Sequence, residues 1–145
     1  MGRRKVPTGS PLPKALACGM LEDNGRILFL KRISHGIERI ELPCVLVHSG
    51  RSPVAEIKEK FTIQTGIDGE VHEIIIERRH NAGSRKRKIW VPCIVFKITA
   101  KNMGAKPSEE FSGFKWLSLE NAKKQKLSRN TEWLRNYSTS LNLKP

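Results

Sequence analysis

The sequence predicts one α/β domain, on three observations. An Asn24-Gly25 hairpin signal separates two apolar strands near the start. A capped helix follows in the middle of the chain, and an apolar run at 89–99 reads as a strand covered on both faces. A length of 145 residues with 38% hydrophobic content suits a single core.

Taken in order, residues 14–21 read as a strand, Glu22-Asp23-Asn24-Gly25 as a turn, and residues 26–32 as the return strand ending in Lys31 and Arg32. Residues 34–39 read as a loop and 40–47 as one strand. His35 and His48 border that strand and read as polar surface residues, since no carboxylate or second histidine lies at matched spacing. Ser52 is the expected N-cap of a helix from Pro53 to Thr65, with proline where its missing N–H costs nothing. Val54, Ile57 and Phe61 fall at helical spacing as one buried stripe, and Gly66 sits where a left-handed cap ends a helix. Residues 70–77 and 89–99 are strands. Pro92 lies inside the second and has no ladder donor, so it implies a bulge or a bare edge. Residues 102–112 are a loop in which Glu109 and Glu110 read as solvated. A short strand at 114–119 enters a short helix at Glu120. Ser128 is expected to cap a last helix with Trp133 and Leu134 on its apolar stripe. Residues 1–13 read as a flexible basic arm, 14–137 as the domain, and 138–145 as a frayed tail.

Between the strands at 70–77 and 89–99 lies RRHNAGSRKRK, residues 78–88, with six basic residues and no acidic one. Arg78, Arg79, Arg85, Lys86, Arg87 and Lys88 make either a hairpin finger that holds phosphates or a disordered loop kept soluble by charge. The whole chain carries 27 Lys and Arg against 14 acidic residues, a net charge of +13. Such a surface repels itself and favours a polyanion through counterion release, with RNA the first candidate. The alternative is a solvated, merely highly charged surface. Trp90, Trp116 and Trp133 lie in apolar patterns and are assigned to the core, although exposed tryptophans stack on bases.

Cys18, Cys44 and Cys93 are odd in number, far apart and each in an apolar context, so buried thiols in a reducing, cytoplasmic compartment are expected. A mitochondrial address is the alternative reading of the short, Pro-broken basic N-terminus. No apolar run approaches the roughly 18 residues of a membrane span, so no membrane partner is expected. Nothing in the sequence marks an oligomer interface.

The stretch 42–68, LPCVLVHSGRSPVAEIKEKFTIQTGID, resembles the Nudix hydrolase signature G-x5-E-x7-R-E-U-x-E-E-x-G-U, where U is aliphatic. Gly66 and Ile67 fall on its last glycine and aliphatic, Phe61 on the inner aliphatic, and Leu42-Pro43 on the usual preceding Leu-Pro. A softer likeness is the Trp-Leu-Ser-Leu-Glu-x-Ala stretch at 116–122. The resemblance implies a Nudix fold, an α/β/α sandwich around a mixed central β-sheet. In the family, helix glutamates hold the Mg2+ that drives hydrolysis. Here the opening glycine is Val45, the first glutamate is Arg51, the Arg-Glu pair is Glu59-Lys60, and the Glu-Glu pair is Ile63-Gln64. The three metal positions therefore offer an ammonium, an alkyl group and an amide.

Two functions follow. The first is a non-catalytic binder of RNA, a ribonucleoprotein such as the ribosome, or a nucleotide phosphate. It needs no cofactor and no metal, and its cations are the finger together with Arg51, Lys60 and Arg32. The second is an active hydrolase of a nucleoside diphosphate derivative, with Mg2+ held by a displaced pair, Glu56 and Glu59. The residue-level alternative for Glu56 is an i, i+4 pair with Lys60. Arg51 and Glu59 have exchanged charge signs relative to the family pattern, which suggests a reversed brace between loop and helix.

Overall fold

The computed structural model describes residues 12–137. The basic arm and the tail at 138–145 therefore lie outside the described residues, except for Leu12 and Pro13. Seven strands form a mixed sheet: β1 (Pro13–Asp23), β2 (Arg26–Ser34), β3 (Ile37–Glu41), β4 (Cys44–His48), β5 (Glu70–Asn81), β6 (Trp90–Thr99) and β7 (Gly113–Leu117). The path runs β3-β2-β1-β6-β5, with β4 also on β1 and β7 on β2. The β1–β6 pair is parallel and the other pairs are antiparallel.

The predicted hairpin forms at Asn24 and Gly25, both at positive φ. His35 and Gly36 also take positive φ and close a second tight turn, so the loop expected at 34–39 is instead the end of β2, this turn and the start of β3. The single strand expected at 40–47 is divided at Leu42-Pro43. Before the break Glu41 pairs with Leu30 of β2, and after it Cys44 pairs with Cys18 of β1. Proline cannot donate to a ladder, so it marks where the chain changes partner. Pro92 has the bare edge expected of it. It pairs with Arg79 on one side, while β1 joins β6 only from Cys93 onward.

Helix α1 (Pro53–Thr65) covers one face of the sheet. The Ser52 side chain accepts the Ala55 N–H, and Gly66 at φ 74° closes the helix with its N–H donated to Thr62 O. A Cβ at Gly66 would come within 2.6 Å of Lys106 O, so close backbone approach requires glycine as much as φ does. Ile57 and Phe61 pack against Ala15, Ala17, Leu28, Val47, Phe96 and Ile98. The predicted stripe is corrected at Val54, which is 47% exposed; Gln64 and Thr65 continue the buried face instead. The opposite face is covered by α2 (Leu119–Lys123) and a 3-10 helix (Arg129–Asn136). Their Leu119, Ala122, Leu134 and Tyr137 pack on Leu16, Cys18, Met20 and Phe29. Ser128 stands at the N-cap of the 3-10 helix, but its hydroxyl makes no capping bond.

Cys18 and Cys44 are joined by a disulfide, correcting the expected thiols. The antiparallel register sets them opposite one another, their Cα atoms 4.1 Å apart, although 26 residues separate them in sequence. Cysteine usage therefore gives no argument for a reducing compartment. Cys93 is free and buried, and burial pushes its thiol up to about 12. Among the described residues no helix is long and apolar enough to cross a membrane.

The helix braces also differ from expectation. Arg51 Nη2 meets Glu56 Oε2 at 2.8 Å, replacing both the Glu56–Lys60 pair and the Arg51–Glu59 brace. Arg51 directly precedes the N-cap, so the first helical turn is nearer to it than the next. A double-mutant cycle at 51 and 56 should give about 0.2–1 kcal/mol of coupling, and one at 51 and 59 none. Phe61→Ala should cost about 3–5 kcal/mol in urea unfolding, whereas Val54→Ala should stay within about 0.5 kcal/mol. Equal costs at the two positions would contradict the packing of α1.

Candidate nucleic-acid interface

The helix positions that resemble metal ligands hold no carboxylate. Lys60 is exposed and Ile63 is 53% exposed. Gln64 is buried, and its Nε2 donates to Cys44 O at 3.2 Å, tying α1 to β4. Gln64 Oε1 is buried with no hydrogen-bond partner among the described residues, but one neutral amide oxygen beside an ammonium and an alkyl group does not fit Mg2+, which takes several oxygen donors and usually carboxylates. Of the displaced pair, Glu56 is held by Arg51, and Glu59 is exposed with no ion pair among the described residues. Among the described residues no group of three or more His, Cys, Asp or Glu could hold a metal ion.

The positive charge gathers instead where β5 leads into β6. Strand β5 runs to Asn81, four residues beyond the predicted end, and turns into an ordered loop. Asn81 Oδ1 accepts the Gly83 and Ile89 N–H groups at 2.9 Å each, and its Nδ2 donates to Ser84 O at 3.0 Å. Ser84 Oγ accepts the Arg87 N–H at 2.8 Å, and the Ala82 N–H bonds Ile89 O at 2.7 Å. One asparagine and one serine thus close the finger from within. At its tip Arg85, Lys86, Arg87 and Lys88 are all exposed, and none has an ion pair among the described residues.

Arg129, from the start of the 3-10 helix, fixes the finger's base. Its Nη2 donates to Asn81 O at 2.8 Å and to Gly83 O. A cleft of about 440 Å³ opens there between Arg39, Arg85, Lys88, Arg129 and Glu132. A second cleft of about 440 Å³ shares Arg39 and Arg129 and adds Arg32, Ser34, Glu41, His80, Ser128 and Asn130. Glu41 is only 3% exposed and is neutralised by Arg32 through two bonds of 3.0 and 3.2 Å. Arg32 also reaches Glu110 at 3.2 Å and lies over Phe111, so Glu110 is a partner rather than a solvated loop residue. The Glu41 hydrogen bond holds the Arg32 guanidinium above its ordinary pKa. Burial, then Arg129, pushes His80 below the ordinary histidine value, so its ring is neutral near pH 7. Ser128 Oγ is buried in this cleft with no hydrogen-bond partner among the described residues.

The predicted cations are therefore only partly assembled. Arg85 and Lys88 face a common cleft, while Lys86 and Arg87 stand exposed in the same loop. Arg78 and Arg79 belong to β5 itself and lie over Tyr137 and Trp90 respectively. Arg32 serves the buried Glu41, and Arg51 and Lys60 stay on or before α1, lining neither cleft. Sequence reasoning missed Arg39, Glu41, His80, Arg129 and Asn130. Arg129 and Asn81 are 48 residues apart, a separation that carries no local signal.

No protein-family model matches the chain, and no curated protein matches it in sequence. Solved structures do match. The MutT protein from Methanosarcina mazei Go1 has a TM-score of 0.68 at 19% identity, over 90% of this chain and 95% of that one. A NUDIX hydrolase from Nitrosomonas europaea has a TM-score of 0.66 at 10% identity, over 92% and 97%. The NUDIX domain of Shewanella oneidensis NrtR, complexed with ADP ribose, has a TM-score of 0.61 at 14% identity, over 91% and 90%. With a mixed sheet between helical layers and these likenesses along nearly its full length, the chain has the Nudix fold.

Proposed function

We propose that this chain is a non-catalytic Nudix-fold protein that binds RNA, alone or within a ribonucleoprotein, through its basic finger. The observation that carries this is the finger's exposed tip. Its four cations stand on a loop tied internally and by Arg129, and they have no acidic partners among the described residues. Ordered cations without counter-charges raise the self-energy of the fold, and polyanion phosphates relieve it by releasing condensed counterions. The net charge of +13 supports the same reading. The helix positions of the box that resemble metal ligands contribute no carboxylate, only the amide oxygen of Gln64, so the reading needs no metal.

A second reading is an active hydrolase of a nucleoside diphosphate derivative, with Mg2+ on Glu56 and Glu59. One observation favours a nucleotide ligand: the second cleft holds a buried, unpartnered Ser128 hydroxyl beside Arg39 and the neutral His80. The NrtR domain complexed with ADP ribose is similar in fold. Against metal catalysis, Glu56 is already spent on Arg51. Turnover of a nucleotide panel with Mg2+ or Mn2+, lost in Glu59→Gln, would favour this second reading.

Oligoribonucleotide affinity should fall steeply with salt. Replacing Arg85, Lys86, Arg87 and Lys88 together by Gln should reduce the slope of log K against log salt by about 0.7 per lost phosphate contact on a single strand. Affinity that ignores salt would reject the proposal.

Gln64→Glu tests the metal-free box. At pH 7 a carboxylate would face Cys44 O where an N–H now donates, costing about 1–3 kcal/mol in denaturant unfolding. A protonated carboxyl can donate as the amide does, so the folded state binds a proton more tightly than the unfolded one. Stability of the variant, relative to wild type, should therefore recover as pH falls toward 4. Recovery at pH 7 on adding millimolar Mg2+ instead would show a cation welcomed at the helix and would sink the metal-free reading.

A further inference from the structure

We infer that Trp90 is a stacking platform for an unpaired base, so that the RNA met by the finger is single-stranded where it crosses the end of β6. The inference rests on the RNA reading above. Trp90 was expected in the core because the run 89–99 is apolar almost throughout. It is instead 51% exposed, and Ile89 beside it is 45% exposed.

The register explains why. Trp90 pairs with Asn81 and Pro92 with Arg79, so these four share one face of the β5–β6 ribbon. The alternate residues Val91 and Cys93 turn to the other face and are buried. The ribbon here has run past β1, whose pairing with β6 starts at Cys93. The Arg79 guanidinium lies 4.5 Å from the Trp90 ring centroid, fixing the ring's orientation and adding a cation beside it.

Three features then coincide: a flat exposed indole, a guanidinium stacked on it, and a loop of free cations that begins two residues earlier at Lys88. Two residues of extended chain span at most ~7 Å. A base on the indole would thus keep its own phosphates within reach of the finger. An unpaired base offers its π-face, whereas a base inside a duplex is already stacked on its neighbours.

The test uses the full chain with a short labelled oligouridylate and with its duplex with oligoadenylate. Trp90→Ala should weaken the single strand about 5- to 150-fold. Trp90→Phe should keep most of the affinity. Duplex affinity and the salt slope should not move, and the unfolding midpoint of each variant should match wild type. Unchanged single-strand affinity in Trp90→Ala, with salt-dependent binding intact, overturns the stacking inference alone. Equal losses on single strand and duplex assign Trp90 to shaping the loop and also overturn it. Wild-type protein without salt-dependent affinity for either probe overturns the RNA reading and this inference together. Polyglutamate bound as tightly as oligouridylate, and lost in Trp90→Ala, would give the patch to an acidic protein partner instead.

Discussion

The constraint on which everything else rests is the two-sided burial of β1. Leu16, Cys18 and Met20 enter the core under α2 and the 3-10 helix, while Ala15, Ala17 and Leu21 enter the core under α1. The same strand pairs with β2, β4 and β6, two of them antiparallel and one parallel. A one-residue slip would exchange its two faces and misplace both layers at once. Gly19 follows from this. A Cβ there would come 3.0 Å from Phe61 and Ile98 side chains, so the helix and β6 settle directly on the strand's backbone. Position along β1 also sets where the β5–β6 ribbon leaves the sheet. Its pairing with β6 begins at Cys93, leaving the first residues of β6, with the end of β5, to extend free as the finger's stem.

A free stem with a charged tip needs anchoring, and the anchors are polar. Arg129 binds the carbonyls of Asn81 and Gly83, and Arg78 lies over Tyr137, so the 3-10 helix braces the ribbon's inner side. On the same flank the Glu41 carboxylate is buried beneath Arg32, with Asn130 Nδ2 3.5 Å from Oε2. A buried carboxylate is tolerated only when so paired, and its charge is consumed locally. The field leaving this end of the molecule is therefore dominated by cations that have no ion pair among the described residues, Arg85 to Lys88.

Local signals were legible in the sequence and non-local ones were not. Asn24-Gly25, Ser52 and Gly66 each act within a few residues, and each has the structural role expected of it; the run at 89–99 forms a strand, but its first residues are exposed. The break at Pro43 was missed because residues 40–47 read as one apolar strand, while the two halves serve different partners. The cysteine pairing was hidden by sequence distance. Trp90 misled because an apolar pattern reports burial only where something lies above it, and Trp90 belongs to neither core cluster. At the candidate site composition revealed the finger's cations but not Arg39 or Arg129, which reach the finger only through the fold.

Helix α1 is tied to its neighbours by side-chain nitrogens. Gln64 donates to Cys44 O, Lys58 Nζ donates to Gly69 O at 2.8 Å, and Arg51 binds Glu56. Each bond ties loop or strand to helix through nitrogen. The family pattern that this stretch resembles would do the same through glutamate oxygens around a cation. On the proposed reading, exchanging acceptors for donors keeps the tether without supplying the carboxylates that a divalent ion takes. The helix therefore serves there as scaffold, its Glu56 and Lys58 each in an ion pair, while the finger carries the cations that meet the polyanion.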